Sequence, residues 1–370
     1  MKLNKKFAKT GWLILILAVL TLVCLGGCAN MDILDSGDMK DVELVTALGV
    51  DASDDDGAEV TVQLLNRDKA LDRQYAESYY TLAAAGVNLP AAIGELYRYG
   101  ARQLNFSHTS VMLLAENAAD ADFWLDYALR SPELRPTVYP VVCRGQAGEI
   151  IDGAAEDISL TYLLDNILEP LGSGRPGAAA ISLQNFVEDL MQPGITPVLP
   201  LVEQREEGGL ALCGVVLYDD NGRQAATLDA DADEQAYEGW LWLCRPEYLR
   251  GFLLELDNGV VLQVESASLQ KKLQMSAAKP NLQLYLSLRA QVLRNPQVLP
   301  DAYLQQLAKQ RLLDLTVAAL AASREHNLDF LGIGREVYRQ QPELWQELAG
   351  QDYLLQLTVS LDTKAEVLQQ

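Results

Sequence analysis

The sequence predicts a multi-domain α+β protein, with mixed and antiparallel sheets flanked by helices and a C-terminal antiparallel sheet carrying a long packed helix. Three observations carry this expectation. Strand-like and helix-like segments alternate over residues 42–143, the pattern of layered α/β structure. Leu282, Leu284, Leu286, Leu288, Ala290 and Val292 recur at every second position, the period of a strand with one buried face. Leu304, Leu307, Ala308, Leu312, Leu315, Ala319 and Ala322 then follow helical spacing over about six turns. At 370 residues the chain has room for two or three domains.

The N-terminus comes first and is unlike the rest. Residues 1–27 hold Lys2, Lys5, Lys6 and Lys9, no acid, and an apolar run from Trp12 to Leu20 that resumes to Leu25. A basic start, an apolar middle and small residues before a cut are the anatomy of a secretory signal. The run is shorter than the ~20 residues of a spanning helix. Leu25-Gly26-Gly27-Cys28 resembles a lipobox, in which small side chains admit the peptidase and the thiol carries a diacylglyceryl thioether. Residues 1–27 are therefore expected to be a removed lipoprotein signal peptide, with Cys28 the lipidated first residue. Two acyl chains give stable anchoring where one gives marginal binding.

Charge sharpens the reading. With 29 basic and 51 acidic side chains the chain carries −22, and the body left after residue 27 carries −26. Acidity of this size disfavours nucleic acid, whose phosphates need a clustered basic surface. It equally disfavours adhesion to anionic lipid through surface charge. Membrane attachment is therefore expected to rest on the lipid of Cys28 and on protein partners. Cys143, Cys213 and Cys244 sit in apolar runs without a Cys-x-x-Cys spacing and are expected to be buried free thiols.

Residues 28–41 read as a tether. A strand over Val42–Val50, an acidic turn at Asp51–Gly57 and a strand over Glu59–Leu64 read as a hairpin. Asn88 before Leu89-Pro90 marks a helix start, running to about Arg102. A strand (Ser110 to Leu114), a helix (Asp120 to Leu129) and a strand (Thr137 to Cys143) follow. Residues 150–200 read as mostly helical, with the pattern broken at Pro193-Gly194 and from Pro197 to Pro200. Gly208-Gly209 is the expected seam, dividing an N-terminal α/β domain (42–205) from a C-terminal α+β domain (206–370), itself open to division near 250–280. Beyond it come a strand (Leu210 to Tyr218), a turn at Asp219–Gly222, a helix (Asp231 to Leu243) and a hairpin turning at Asp257-Asn258-Gly259. Leu355, Leu357, Val359 and Leu361 predict a last half-buried strand.

Catalytic signatures fail one by one. Asp229-Ala230-Asp231-Ala232-Asp233 starts like a calcium loop, but Glu234 and Trp240 stand where Gly and Glu are required. Asp51 to Asp56 reads as a solvated loop. No phosphate-binding glycine motif and no Gly-x-Ser-x-Gly elbow is present. His108 is flanked by Ser107 and Thr109, which point away from it on an extended segment. His326 reads as a helix end. No catalytic, metal or cofactor residues are assigned, and the chain is expected not to be an enzyme.

Several segments in order resemble the Ger(x)C family, the C-subunit lipoproteins of bacterial spore germinant receptors. They are Cys28, the strand from Asp41 through Leu48-Gly49-Val50-Asp51, Asn105-Phe106-Ser107-His108, Arg130-Ser131-Pro132-Glu133-Leu134-Arg135 with Arg144-Gly145, Asp329-Phe330-Leu331-Gly332-Ile333-Gly334, and Pro342-Glu343-Leu344-Trp345 with the final strand. Ala29-Asn30 departs from the family's Trp-Asp, and residues 205–275 match loosely. In the residues themselves, Arg130 and Arg135 bracket Glu133 and are expected to form local ion pairs. Gly332 and Gly334 are expected in a turn with φ > 0 between helices. Trp345 is expected on the helix opening near Gly334, packed on the terminal sheet.

The resemblance implies a non-enzymatic, lipid-anchored subunit that contributes to receptor assembly and germination signalling. Its implied partners are the receptor's A and B subunits, and its implied place is the extracytoplasmic face of the spore inner membrane. The alternative, from another class, is a solute-binding lipoprotein of a transporter. That reading predicts two similar α/β lobes around a cleft.

Overall fold

The computed structural model describes residues 42–53, 57–66, 78–99, 102–154, 159–168, 180–205, 209–276, 279–349 and 352–369. The signal segment, Cys28 and the tether lie outside the described residues. In chain order the first elements are β1 (Val42–Ala52), β2 (Ala58–Leu65), β3 (Tyr79–Gly86), α1 (Leu89–Tyr99), β4 (Gln103–Asn105), β5 (Val111–Ala115), α2 (Ala121–Arg130), β6 (Tyr139–Cys143), α3 (Ala147–Asp152), α4 (Leu160–Leu168), α5 (Leu183–Met191), β7 (Val198–Gln204), β8 (Leu210–Tyr218) and β9 (Gln224–Asp229).

The main sheet runs β3-β2-β1-β5-β6-β7-β8-β9. Its middle is parallel, β1 with β5, β5 with β6 and β6 with β7, because helices carry the chain back between successive strands. Hairpins extend both sides antiparallel, β1–β2–β3 on one and β7–β8–β9 on the other. Burial follows position. All five residues of β5 are buried, as are Val45, Ala47, Leu48 and Val50 of β1, which is why these runs are continuously apolar. One face carries Cys143 with Ile150 and Ile151 of α3 and Leu160 and Leu164 of α4. Another cluster joins Trp124 of α2, Phe186 of α5 and Tyr218 of β8, with ring centroids 5.6 and 5.1 Å apart. The polar tips of Trp124 and Tyr218 both donate to the Ala119 carbonyl, so neither aromatic is buried with its donor unused.

Helix α1 buries Leu89, Ala92, Ile93 and Leu96 at helical spacing, and Asn88 Oδ1 accepts from Ala91 N–H (2.9 Å), the expected N-cap. The helical pattern does end where the prolines predict, α5 stopping at Met191, but the break holds a strand the sequence did not announce: β7 spans Val198–Gln204, pairing with β6 and β8. Pro200 keeps its carbonyl and an extended-compatible φ, and five consecutive buried residues offset its missing donor. The expected seam lies in the β7–β8 connection, where Arg205 N–H donates to the Gly209 carbonyl (3.1 Å); Gly208 itself is outside the described residues. The sheet therefore continues through β8 and β9, and the change of sheet comes after β9.

The remaining elements are α6 (Glu234–Cys244), β10 (Leu253–Leu256), β11 (Val260–Ser276), β12 (Lys279–Arg294), α7 (Asp301–Glu325), α8 (Ile333–Gln340), α9 (Pro342–Leu348), α10 (Tyr353–Gln356) and β13 (Thr358–Leu368). The second sheet runs β10-β11-β12-β13. Asn258 and Gly259 take left-handed φ of 65° and 70°, the turn that their sequence predicts. Leu282, Leu284, Leu286, Leu288 and Ala290 of β12 are buried, and α7 buries Leu304, Ala308, Leu312, Leu315 and Ala319. The predicted fold class holds, with one pairing different. β13 lies parallel to β12, so the C-terminal sheet is mixed and not purely antiparallel. The chain leaves β12 and returns through α7, and a crossover of that kind lays the second strand parallel to the first. Leu355 falls in the helical turn α10, so the final strand starts only at Thr358. The described residues within 44–100 and 105–370 group as one compact unit.

Candidate functional site

The loop from Asn327 to Gly332, linking α7 to α8, is built on buried polar groups. Helix α7 ends at His326, whose backbone N–H donates back to Ala322 and Arg324, as expected of a helix end. Ser323 Oγ then donates to the Leu328 carbonyl (2.8 Å). Asp329 is buried, and its Oδ2 accepts from Gly334 N–H (2.6 Å) and from the Tyr353 hydroxyl (2.7 Å). Burial pushes this carboxyl above its ordinary range against those donors, and Asp329 Oδ1 has no partner among the described residues. The Tyr353 hydroxyl is pushed up as well, by burial first and by the neighbouring Asp329.

The two glycines of this loop have different reasons to be glycine. Gly332 sits at φ +67°, as expected, capping α8. Gly334 is helical; a Cβ there would lie 2.6 Å from the Trp345 ring and 2.7 Å from the Tyr353 oxygen. Trp345 belongs to α9, not to the helix opening near Gly334, and it packs on Gly334 and edge-on to Tyr353 at 5.5 Å, away from its expected place on the terminal sheet. Proline at the start of α9 separates the two helices.

A segment from the middle of the chain closes on this loop. Thr196 N–H donates to the Asp329 carbonyl (2.9 Å), and Arg335 N–H to the Gly194 carbonyl (2.7 Å). Gly194 has φ +73°, and a Cβ there would come within 2.3 Å of the Gly334 backbone, so the two segments touch without side chains between them. Arg335 Nη1 pairs with Asp189 Oδ1 of α5 at 2.7 Å. Two cavities flank the loop and share Ile195 and Thr196. One, of about 240 Å³, is lined by Asp189, Trp240, Cys244, Arg245, Lys271 and Arg335 among others. The second, of about 220 Å³, is lined by Asp219, Asp220, Asn327, Asp329, Trp345 and Tyr353 among others.

The other residues singled out in the sequence take structural posts. Asp51 Oδ1 and Oδ2 accept from Ala147 and Gly148 N–H at 2.7 and 2.9 Å, holding the start of α3; burial raises its carboxyl pKa against those bonds. Arg144 joins Glu203 (3.1 Å) and Asp229, tying the ends of β6, β7 and β9. Asp229 also accepts from Asp231 and Ala232 N–H, so the acidic run is a helix entry; the Ala232 bond, with Arg144, holds Asp229 below the usual carboxylate range. The ion pairs expected around Glu133 do not form. Arg130 pairs with Asp126 one helical turn back, and Glu133 Oε2 accepts from Phe106 N–H (2.9 Å). Arg135 contributes its carbonyl, to Val138 N–H.

The hydroxyls beside His108 are engaged elsewhere. Ser107 Oγ bonds Asn105 Oδ1, and buried Thr109 donates to the Val45 carbonyl (3.3 Å). Cys143, Cys213 and Cys244 are free, the first two buried, and burial raises the thiol pKa of each. Among the described residues no cluster of three metal-ligating side chains occurs.

Sequence reasoning found Asp329, Gly332 and Gly334 but missed Gly194–Thr196, Arg245, Lys271, Arg335 and Tyr353. Arg335 directly follows the glycine motif, a usable signal. Arg245 and Lys271 carry none.

Comparison with known proteins adds four findings. Residues 35–204 match the family model described as "Spore germination protein N-terminal domain". Residues 233–370 match "Spore germination B3/ GerAC like, C-terminal". The chain is 22% identical to "Spore germination protein KC" of Bacillus subtilis (strain 168), across 96% of this chain and 94% of that protein. The solved structure "Crystal Structure of the GerBC protein" superposes with a TM-score of 0.56 at 15% identity, covering 87% of this chain and 96% of that one, so the two share a fold.

Proposed function

Because the chain belongs to the Ger(x)C spore germination family, we propose that it acts as the C subunit of a nutrient-germinant receptor, a lipid-anchored and non-enzymatic component of receptor assembly and signalling. The observation that carries the reading is the ordered match of both family models, which together span most of the chain. In this reading Cys28 bears the lipid, the body stands on the extracytoplasmic face of the spore inner membrane, and the receptor's A and B subunits are its partners. The low yield of catalytic chemistry in the sequence agrees with a role in assembly. Among the described residues no helix is long and apolar enough to cross a membrane, so the reading places attachment on Cys28 and on partner subunits.

The reading has two tests. Deleting the gene is expected to abolish germination to at least one nutrient without slowing vegetative growth; normal germination to every nutrient would overturn it. Cys28→Ala is expected to move the protein from the membrane fraction to the soluble fraction. The solute-binding alternative is less well supported, because it calls for two similar lobes. The two sheets here differ in size and in pairing.

A further inference from the structure

The cavity beside the Asp329 loop is cationic in a strongly acidic chain. Asp189 pairs with Arg335 at 2.7 Å, and Arg245 acts on the same carboxylate from farther away. Arg245 and Lys271 also line the cavity, and among the described residues neither has a carboxylate within ion-pair distance. Lys271, at the exposed rim, spends one of its three donors on the Leu331 carbonyl (3.0 Å) and keeps two. Arg245 Nε is sealed from solvent without an acceptor. Glu188 also reaches the cavity and accepts from Gln192 one helical turn away (3.1 Å), so the lining sets Arg245, Lys271 and Arg335 against Glu188 and Asp189 and keeps a positive excess. Thr196 and Asn185 complete a mostly polar wall.

Cations without an ion-pair partner, lining a concave polar site, call for an anion. We infer that this cavity binds a small oxyanion, a carboxylate or phosphate group, held between Arg245 and Lys271. A planar guanidinium fork and a point ammonium charge are the two donor types that recognise such groups. The volume, about 240 Å³, is below the ~300–1,000 Å³ of drug-sized pockets, which restricts the ligand to a few heavy atoms or to the charged end of something longer. The inference concerns binding by this chain alone and stands apart from the germination reading.

The test is calorimetric titration of the full-length protein in detergent micelles with potassium phosphate and, separately, with sodium succinate. Ionic strength is held constant with chloride. Saturable one-to-one binding of at least one probe is expected. Arg245→Gln and Lys271→Gln should each weaken it at least tenfold, whereas Lys309→Gln, on the exposed face of α7, should leave it unchanged. Lys271 is exposed, so K271Q keeps the experiment decisive if the Arg245 variant fails to fold. Binding of phosphate only would identify a phosphoryl group as the ligand chemistry, and of succinate only a carboxylate. No saturable binding of either probe, or unaltered affinity in K271Q, would overturn the inference.

Discussion

The two sheets solve burial differently. Strand β5, in the parallel centre of the first, is buried at all five positions, whereas β12 in the second buries alternate residues and leaves Tyr285 and Leu293 exposed. A strand covered on both faces loses the period that would announce it, and one covered on one face displays it. The same difference sets tolerance to change. In β5 each side chain is a core residue, while in β12 every second one is.

The largest expected effect tests that contrast directly. Met112→Ala and Leu113→Ala, adjacent in β5, should each cost about 2–5 kcal/mol by thermal or urea unfolding. In β12 the cost should alternate, about 2–5 kcal/mol for Leu286→Ala and within about 0.5 kcal/mol for Ser287→Ala. Equal losses at both β12 positions would refute the one-faced reading. Next comes the loop whose anchors reach Thr196 and Tyr353. Asp329→Ala strands the Gly334 N–H and the Tyr353 hydroxyl and should cost about 2–4 kcal/mol; Asp329→Asn, which keeps an acceptor, should cost less.

Smaller effects separate a network from a surface pair. Arg144→Gln removes contacts to two strands of the first sheet and should cost about 1 kcal/mol, against less than about 0.5 kcal/mol for Arg130→Gln. The smallest concerns pH. Asp229 is held below its unfolded value of about 3.9, so its contribution is present above that pH and lost as pH falls through the folded value. Asp229→Asn should therefore flatten the acid loss of stability below about pH 4, read from urea midpoints across that range.

Much of the fold was legible wherever periodicity or turn chemistry is local. The β12 alternation, the α7 spacing, the Asn88 cap and the Asn258-Gly259 turn each write their geometry into adjacent residues. Three features resisted for physical reasons. β7 carries Pro200, which reads locally as a breaker although tertiary burial overrides it. The direction of β13 depends on how the chain returns through α7, not on the strand's own pattern. Glu133 chose the Phe106 N–H over its neighbouring arginines because a backbone donor lay within reach across the fold. The site was half legible: the glycines and Asp329 announce a tight loop, while Arg245 and Lys271 meet only because α6 and β11 both border it.

The parallel return of β13 has a kinetic consequence. Its register pairs Asn281 with Thr358 and Gln291 with Leu368, partners more than seventy residues apart along the chain. Contacts of such separation form late, since a long loop must close before any reward accrues. Until the final residues are available, the outer edge of β12 stays open, with its backbone donors and acceptors ready to pair with another chain. A truncation that removes β13 should therefore do more than shorten the protein. It should turn the second sheet into a template for aggregation.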